Sequence, residues 1–377
     1  MNSKYECYIS DEIEKLTSKS RFRTLQKNSE YRVNLSSNDY LSIAKNQSFI
    51  EEFNHTVTKK DYYTSSSSRL LTGNSLYYEL VEEQLNVLFG KQSLVFNSGY
   101  HANLGIIPAV AGRKDIIFSD RLNHASIIDG CLLSGATIVR FRHCDYQHLE
   151  ELLIEKREHY NHCFIISESL FSMDGDCADV TKLVELKNKY DAVLYIDEAH
   201  SFGVYGESGA GICAMNNMVS EVDIIVGTFG KAAGSLGAFA IISPLMREFL
   251  INKARSLIYS TALPPLILKW TLFILEKFSD LTDVRNDLID KGIFFRDCMI
   301  KSGLQTSSDS FIIPIHIGED QKTIEISDIC KNAGFYILPI RPPTVPEGKA
   351  RLRISLNTSV SYDDLEKLTK LIAGAMV

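Results

Sequence analysis

Gly227-Thr228-Phe229-Gly230-Lys231-Ala232-Ala233-Gly234 sets one lysine among small residues, between the apolar runs Asp223-Ile224-Ile225-Val226 and Ala238-Phe239-Ala240-Ile241-Ile242. Runs this short and this apolar read as buried strands, which puts Lys231 on a tight turn at a sheet edge. Glycines in that turn let a flat ligand come close to the backbone. Taken alone, the lysine reads as a solvated surface residue. Upstream, Ala192-Val193-Leu194-Tyr195-Ile196 is a further buried strand by composition, and it ends in Asp197-Glu198-Ala199-His200. Open α/β sheets bind ligands at the carboxyl ends of their strands, although an Asp there also serves as a turn or helix cap. Apolar strands alternate with helical stretches, among them 76–89 and 180–189, through the middle of the chain. That alternation predicts an α/β fold, a mostly parallel sheet flanked by helices on both faces. The expected organisation is an N-terminal helix and arm over 1–49, a large domain over 50–272, and a smaller α+β domain over 273–377.

The chemistry follows from what stands at these turns. A lysine amine able to form a Schiff base and a carboxylate able to pair with a ring nitrogen are the parts that pyridoxal phosphate (PLP) requires, since the paired ring accepts electrons from a substrate carbanion. Asp197 is placed for the ring nitrogen, and His200 for the phenolic oxygen. The cofactor's phosphate calls for backbone N–H groups at a helix start. Ser93-Leu94-Val95-Phe96-Asn97-Ser98-Gly99-Tyr100-His101-Ala102-Asn103 offers a strand running into Ser-Gly and then a helix, so Gly99 and Tyr100 open an N-terminus that is locally positive. By itself this is an ordinary strand-to-helix turn. Asp120-Arg121-Leu122-Asn123-His124-Ala125-Ser126 adds an imidazole after another short apolar run. His124 there can stack on a pyridine face, or be a polar turn residue.

These segments resemble the α-oxoamine synthase group of fold-type I PLP enzymes, and the likeness runs nearly end to end. It includes Leu35-Ser36-Ser37-Asn38-Asp39-Tyr40-Leu41, Phe96 to Tyr100, Asp120 to Ser126, Glu168-Ser169-Leu170-Phe171-Ser172-Met173-Asp174-Gly175-Asp176, Ile196 to His200, Thr228 to Lys231, and Ile258-Tyr259-Ser260-Thr261. The resemblance implies a fold-type I transferase with PLP on Lys231, Thr228 near the phosphate, and Ser172 near the ring oxygen or His200. It also implies a homodimer with active sites at the subunit interface. Ile340-Arg341-Pro342-Pro343-Thr344-Val345-Pro346-Glu347-Gly348-Lys349-Ala350-Arg351-Leu352-Arg353-Ile354 is similar to the C-terminal signature of the oxononanoate-forming branch. That branch condenses L-alanine with a pimeloyl thioester, on coenzyme A or acyl carrier protein, to give 8-amino-7-oxononanoate. Arg351 and Arg353 alternate with Leu352 and Ile354 on a strand, so both guanidiniums share a face. One of them, assigned to Arg353, is expected to grip the amino-acid carboxylate with a bidentate fork; two exposed arginines on an edge strand is the alternative. The resemblance further implies Arg23 and Thr344 as contacts of the acyl thioester and Asn38 near the substrate carboxylate. His124, Asp197 and Lys231 are the expected catalytic set. Several of these motifs are shared across the whole group, so the rival readings are a sister synthase using glycine or serine with another acyl thioester and, after it, a PLP aminotransferase.

One stretch departs from the family pattern. Where a glycine-rich loop is usual, this chain has Thr64-Ser65-Ser66-Ser67-Ser68-Arg69-Leu70-Leu71-Thr72-Gly73, and serine does not accept positive φ as glycine does. Composition sets outer limits. With 377 residues, 45% of them hydrophobic, the chain can bury a sizeable core. Its net charge of −7 disfavours a nucleic-acid footprint. No apolar segment approaches a bilayer's span, and no secretory signal is evident at the N-terminus. The eight cysteines are scattered without C-x-x-C pairs or histidine spacing suited to zinc, so they read as reduced thiols of a cytoplasmic protein with no metal.

Overall fold

Runs of Ile, Val and Phe become the strands of the two units into which the chain divides, Asn38–Ser172 with Asp176–Asp287, and Met1–Ser37 with Met173–Gly175 and Leu288–Val377. The computed structural model describes residues 3–25, 31–59 and 61–376. Strand β1 (Val33–Asn34) belongs to the smaller unit. The larger unit holds β2 (Gln92–Phe96), β3 (Ile116–Asp120), β4 (Thr137–Phe141), β5 (Cys163–Glu168), β6 (Val193–Asp197), β7 (Ile224–Thr228) and β8 (Ala238–Ile242). They form one sheet in the order β2-β8-β7-β6-β5-β3-β4. β4, β3, β5, β6 and β7 pair in parallel, and β8 is antiparallel to both of its neighbours, β7 and β2. Every residue of β3, β5, β7 and β8 is buried, as expected of a sheet covered on both faces. The turn carrying Lys231 therefore joins two interior strands, a correction to its expected place at a sheet edge; what it occupies is the carboxyl-terminal rim of the parallel strands.

Two helices follow strands of this rim and pack together, Gly99–Val110 and Ala125–Ser134. Their approach is set by Gly130, where an added Cβ would fall 2.7 Å from the Asn103 carbonyl oxygen. Each helix begins with a side-chain cap, Ser98 accepting from the His101 N–H and His124 accepting from the Ser126 N–H. Asp120, Glu168, Asp197 and Thr228 end β3, β5, β6 and β7, so the sheet delivers four polar side chains to one rim.

The serine loop docks on the same unit. Ser65 Oγ donates to Leu263 O at 2.7 Å and Ala262 N to Ser67 O at 2.8 Å. Arg69 lies over the Tyr78 ring at 3.9 Å and donates to Glu82 Oε1 at 2.7 Å, while Arg247 donates to Glu82 Oε2 at 2.7 Å. Ser66, where the family pattern has glycine-rich sequence, sits at φ 51°, in the left-handed region. Ser66→Gly should therefore be neutral to mildly stabilising, whereas Ser66→Val should lose about 1–2 kcal/mol in thermal or denaturant unfolding. Equal stability of the two variants would contradict the left-handed assignment.

In the smaller unit β1 pairs in parallel with β10 (Phe335–Tyr336). β9 (Ile312–Gly318), β11 (Pro339–Ile340) and β12 (Ala350–Ser355) form an antiparallel sheet with β12 in the middle. Arg351 and Arg353 are thus buried on a central strand, not exposed on an edge. The unit boundaries after Ser37 and Asp287 differ from the expected 49 and 272. The residues concerned pack within the larger unit: Ile43 lies against Gly234, the Phe49 and Phe273 rings meet edge to face at 6.2 Å, and Arg285 Nη2 donates to Glu207 O at 3.1 Å. Among the described residues no helix is long and apolar enough to cross a membrane, and no disulfide is formed.

Candidate active site

The strand-end side chains of the larger unit enclose a cavity of about 160 Å³ lined by Gly99, Tyr100, Asn103, His124, Ser126, Glu168, Asp197, Ala199, His200, Thr228 and Lys231. Seven of these are the expected cofactor residues. Lys231 Nζ lies 2.7 Å from His200 Nε2, and His200 Nδ1 lies 2.6 Å from the Tyr40 hydroxyl. Tyr40 in turn donates to Asn38 Oδ1 at 3.1 Å, so Asn38 reaches the cavity through two intermediaries and does not line it. Thr228 Oγ1 donates to Gly237 O at 2.9 Å and accepts from Gly230 N at 3.1 Å, which pins the turn that presents the lysine. Ser172 is half-buried and is not a lining residue.

Asp197 is 5% exposed and both its oxygens accept: Oδ1 from Ala199 N at 2.8 Å, Oδ2 from Asn103 Nδ2 at 2.8 Å. His124 donates its backbone N–H to Glu168 Oε1 at 2.6 Å. Burial, with the charge of Asp197 adding to it, raises the Glu168 carboxyl well above its ordinary range. Burial lowers the His124 pKa, so its ring is neutral there. Asn103, Ser126, Glu168 and Tyr40 were not singled out from sequence. Glu168 carried a usable signal: like Asp197 it is an acid closing a buried apolar run, and the two are register partners on β5 and β6. Asn103 lies four residues after Gly99, one helical turn into the helix whose start was recognised.

Behind the cavity, Glu198 is 1% exposed; its Oε1 accepts from Cys213 N at 2.9 Å, and Oε2 has no hydrogen-bond partner among the described residues. Gly211 makes room for it, since a Cβ there would fall 1.9 Å from Oε2. Burial pushes the carboxyl from 4.5 up to about 7. The unfolded chain releases this proton near pH 4.5 and the fold keeps it until about pH 7, so the stability it contributes is complete below the first value and lost on rising to the second. Glu198→Gln keeps the acceptor and has no such proton. Unfolding free energy followed from about pH 5 to about pH 8 should fall less in Glu198→Gln than in the unsubstituted protein, by up to about 3 kcal/mol. Equal losses would mean that the carboxyl ionises in the fold as it does in water.

Asp120, His143 and Cys144 approach within metal-ligand spacing. Both ring nitrogens of His143 are engaged, Nδ1 with Asp120 at 2.9 Å and Nε2 with Asp176 at 2.6 Å, and these bonds outweigh burial to raise its pKa to about 12. The group is an imidazolium clamped by two carboxylates.

The remaining expected residues belong to the smaller unit. Arg23 Nη2 donates to Thr344 Oγ1 at 2.8 Å, so two residues predicted to share a ligand are neighbours. Arg351 is ion-paired with Asp174, while Arg353 donates to Ser355 Oγ at 2.6 Å.

The profile of the family described as aminotransferase class I and II matches residues 31–372. A protein of Chlorobaculum parvum named 8-amino-7-oxononanoate synthase is 43% identical over 380 residues, covering 96% of this chain and 97% of its own. The chain belongs to this aminotransferase family, and within it to the 8-amino-7-oxononanoate synthases. Solved structures agree. One of serine palmitoyltransferase with the PLP internal aldimine superposes with a TM-score of 0.89 at 26% identity, covering 99% of this chain and 97% of the other. An 8-amino-7-oxononanoate synthase from Francisella tularensis gives 0.76 at 28% identity, covering 91% and 97%. PLP is the cofactor of this family, and the residues present fit it. One cavity brings together a lysine amine, a carboxylate held as an acceptor, a neutral imidazole and the first turn of a helix, the donor set that a phosphorylated pyridine aldehyde needs.

Proposed function

We propose that the protein condenses L-alanine with a pimeloyl thioester, with loss of carbon dioxide and of the carrier thiol, to give 8-amino-7-oxononanoate for biotin biosynthesis. The observation that carries this reading is the convergence of Lys231, Asp197, His124 and His200 on one cavity in a chain 43% identical to a synthase of that name. Bound PLP would supply an electron sink for negative charge at the amino acid's α-carbon. Lys231 would attach the cofactor through Nζ and, once displaced by the amino acid, take and return the α-proton. His200, 2.7 Å from that Nζ, orients the amine and is itself oriented by Tyr40. Asp197 would stand against the ring nitrogen, its two accepting bonds holding the carboxyl group in place. His124 would lie on the ring face. The N–H groups of Gly99 and Tyr100, with Thr228, would bind the phosphate, and Ser172 is carried as a contact of the ring oxygen or His200.

For the substrates, Arg353 is assigned to the amino-acid carboxylate, which its guanidinium would grip through two parallel N–H donors. Asn38 is assigned near that carboxylate, and Arg23 with Thr344 to the acyl thioester. A homodimer is part of the proposal: Tyr63, Leu71 and Tyr259 are exposed apolar residues of the larger unit that a second copy would cover.

Thiol release from pimeloyl-CoA by the PLP-loaded protein tests the reading, with L-alanine, glycine and L-serine offered in parallel. Release that depends on L-alanine is expected. Release only with glycine or serine would assign a sister activity, and formation of a keto acid without thiol would assign an aminotransferase.

A further inference from the structure

We propose that Tyr195, Asn103 and Ser126 form a one-way chain of hydrogen bonds that fixes the proton of His124 on Nε2 and seats Asp197, with Asn103 as the positioning residue that couples the two. The direction of the chain follows from one backbone group. The Ser126 N–H, 3.2 Å from His124 Nδ1, can only donate. Nδ1 is therefore an acceptor, and the neutral ring carries its proton on Nε2. Ser126 Oγ lies 2.8 Å from the same Nδ1 and must donate to it as well. The lone pairs of that hydroxyl then receive Asn103 Nδ2 at 2.9 Å, and the second hydrogen of the amide goes to Asp197 Oδ2 at 2.8 Å. With its nitrogen committed to this side, the amide turns Oδ1 to the Tyr195 hydroxyl, which donates. Burial raises the Tyr195 pKa well above its ordinary value, so the phenol keeps the proton it gives. Asn103, Ser126 and Tyr195 are each 1% exposed, and an amide buried this deeply is held to one orientation by its partners.

Two groups facing the same cavity thus depend on one side chain. Protonating His124 at Nδ1 would set a hydrogen against the Ser126 N–H and reverse the Ser126 hydroxyl. The ring is consequently a neutral donor through Nε2. Asp197 receives one N–H from its own turn and one from Asn103, which leaves its remaining lone pairs for a ligand N–H. The inference concerns these side chains alone and holds whichever amino acid is the substrate.

Solid-state nitrogen-15 NMR of the PLP-loaded protein, labelled at its nine histidines, reads the tautomer directly. The His124 signals are assigned by their loss in His124→Asn. We expect a pyridine-type Nδ1 and a pyrrole-type Nε2 in the unsubstituted protein. In Asn103→Asp the side chain accepts where it formerly donated, so the Ser126 hydroxyl turns away and part of the His124 population should move to a pyrrole-type Nδ1. Tyr195→Phe, which frees the amide to flip, should give the same shift to a smaller extent, and decides the matter if Asn103→Asp does not fold. A pyrrole-type Nδ1 in the unsubstituted protein overturns the proposal, as does an unchanged tautomer in every variant that folds.

Discussion

Lys231→Ala should abolish synthase turnover, by about 10⁴-fold or more, because in the proposed function one amine both attaches the cofactor and moves the substrate proton. The same substitution should remove the visible absorbance of covalently held cofactor, while the N-terminal turn at Gly99 and the Asp197 carboxylate still bind PLP without a bond to the protein. Lys231→Arg should not restore activity, since a guanidinium stays protonated and is not a nucleophile. The positions of His200 and Tyr40 make the effect specific: Nζ is held at 2.7 Å by His200, which Tyr40 holds at 2.6 Å from the other side. Turnover retained in Lys231→Ala with an unaltered spectrum would remove the lysine from the chemistry.

Asp197→Ala should lower turnover by about 10³-fold, the scale seen when one preorganised group that stabilises developing charge is removed. The carboxylate lies in a buried site where both oxygens already accept, so its position is fixed before substrate arrives. Exchange of the L-alanine α-proton in deuterated water, measured without acyl donor, separates this effect from acyl transfer. Exchange should fall with turnover in Asp197→Ala. Exchange at the unsubstituted rate would mean that Asp197 does not support proton removal.

Much of this site was legible because its residues close apolar runs. β7 and β8 are buried along their whole length and β6 from Leu194 onward, so Asp197 and Lys231 announce themselves as polar residues past the ends of such runs. The helices 76–89 and 180–189 were readable to the residue for similar reasons: Gly90 at φ 67° stops the first, and Asp179 caps the second by accepting from Lys182 N. Asn103 was hidden because it sits inside an apolar helix, where its partners on β6 and on the helix Ala125–Ser134 come from distant parts of the chain. The boundary after Asp287 was hidden for a different reason: it falls within the helix Thr282–Lys301, which has no break in its sequence. Ser66 shows the converse, a local departure read from sequence that the backbone accommodates by placing serine at positive φ.

Carbon dioxide release from carboxyl-labelled L-alanine tests the central claim most directly, since only decarboxylative condensation couples loss of that carbon to an acyl donor. Labelled carbon dioxide should appear only when pimeloyl thioester is present, in equal amount with free thiol, and the amino-ketone product should retain the alanine nitrogen and methyl group. Label that stays in the amino acid or in a keto acid, with or without thiol release, would contradict the assignment.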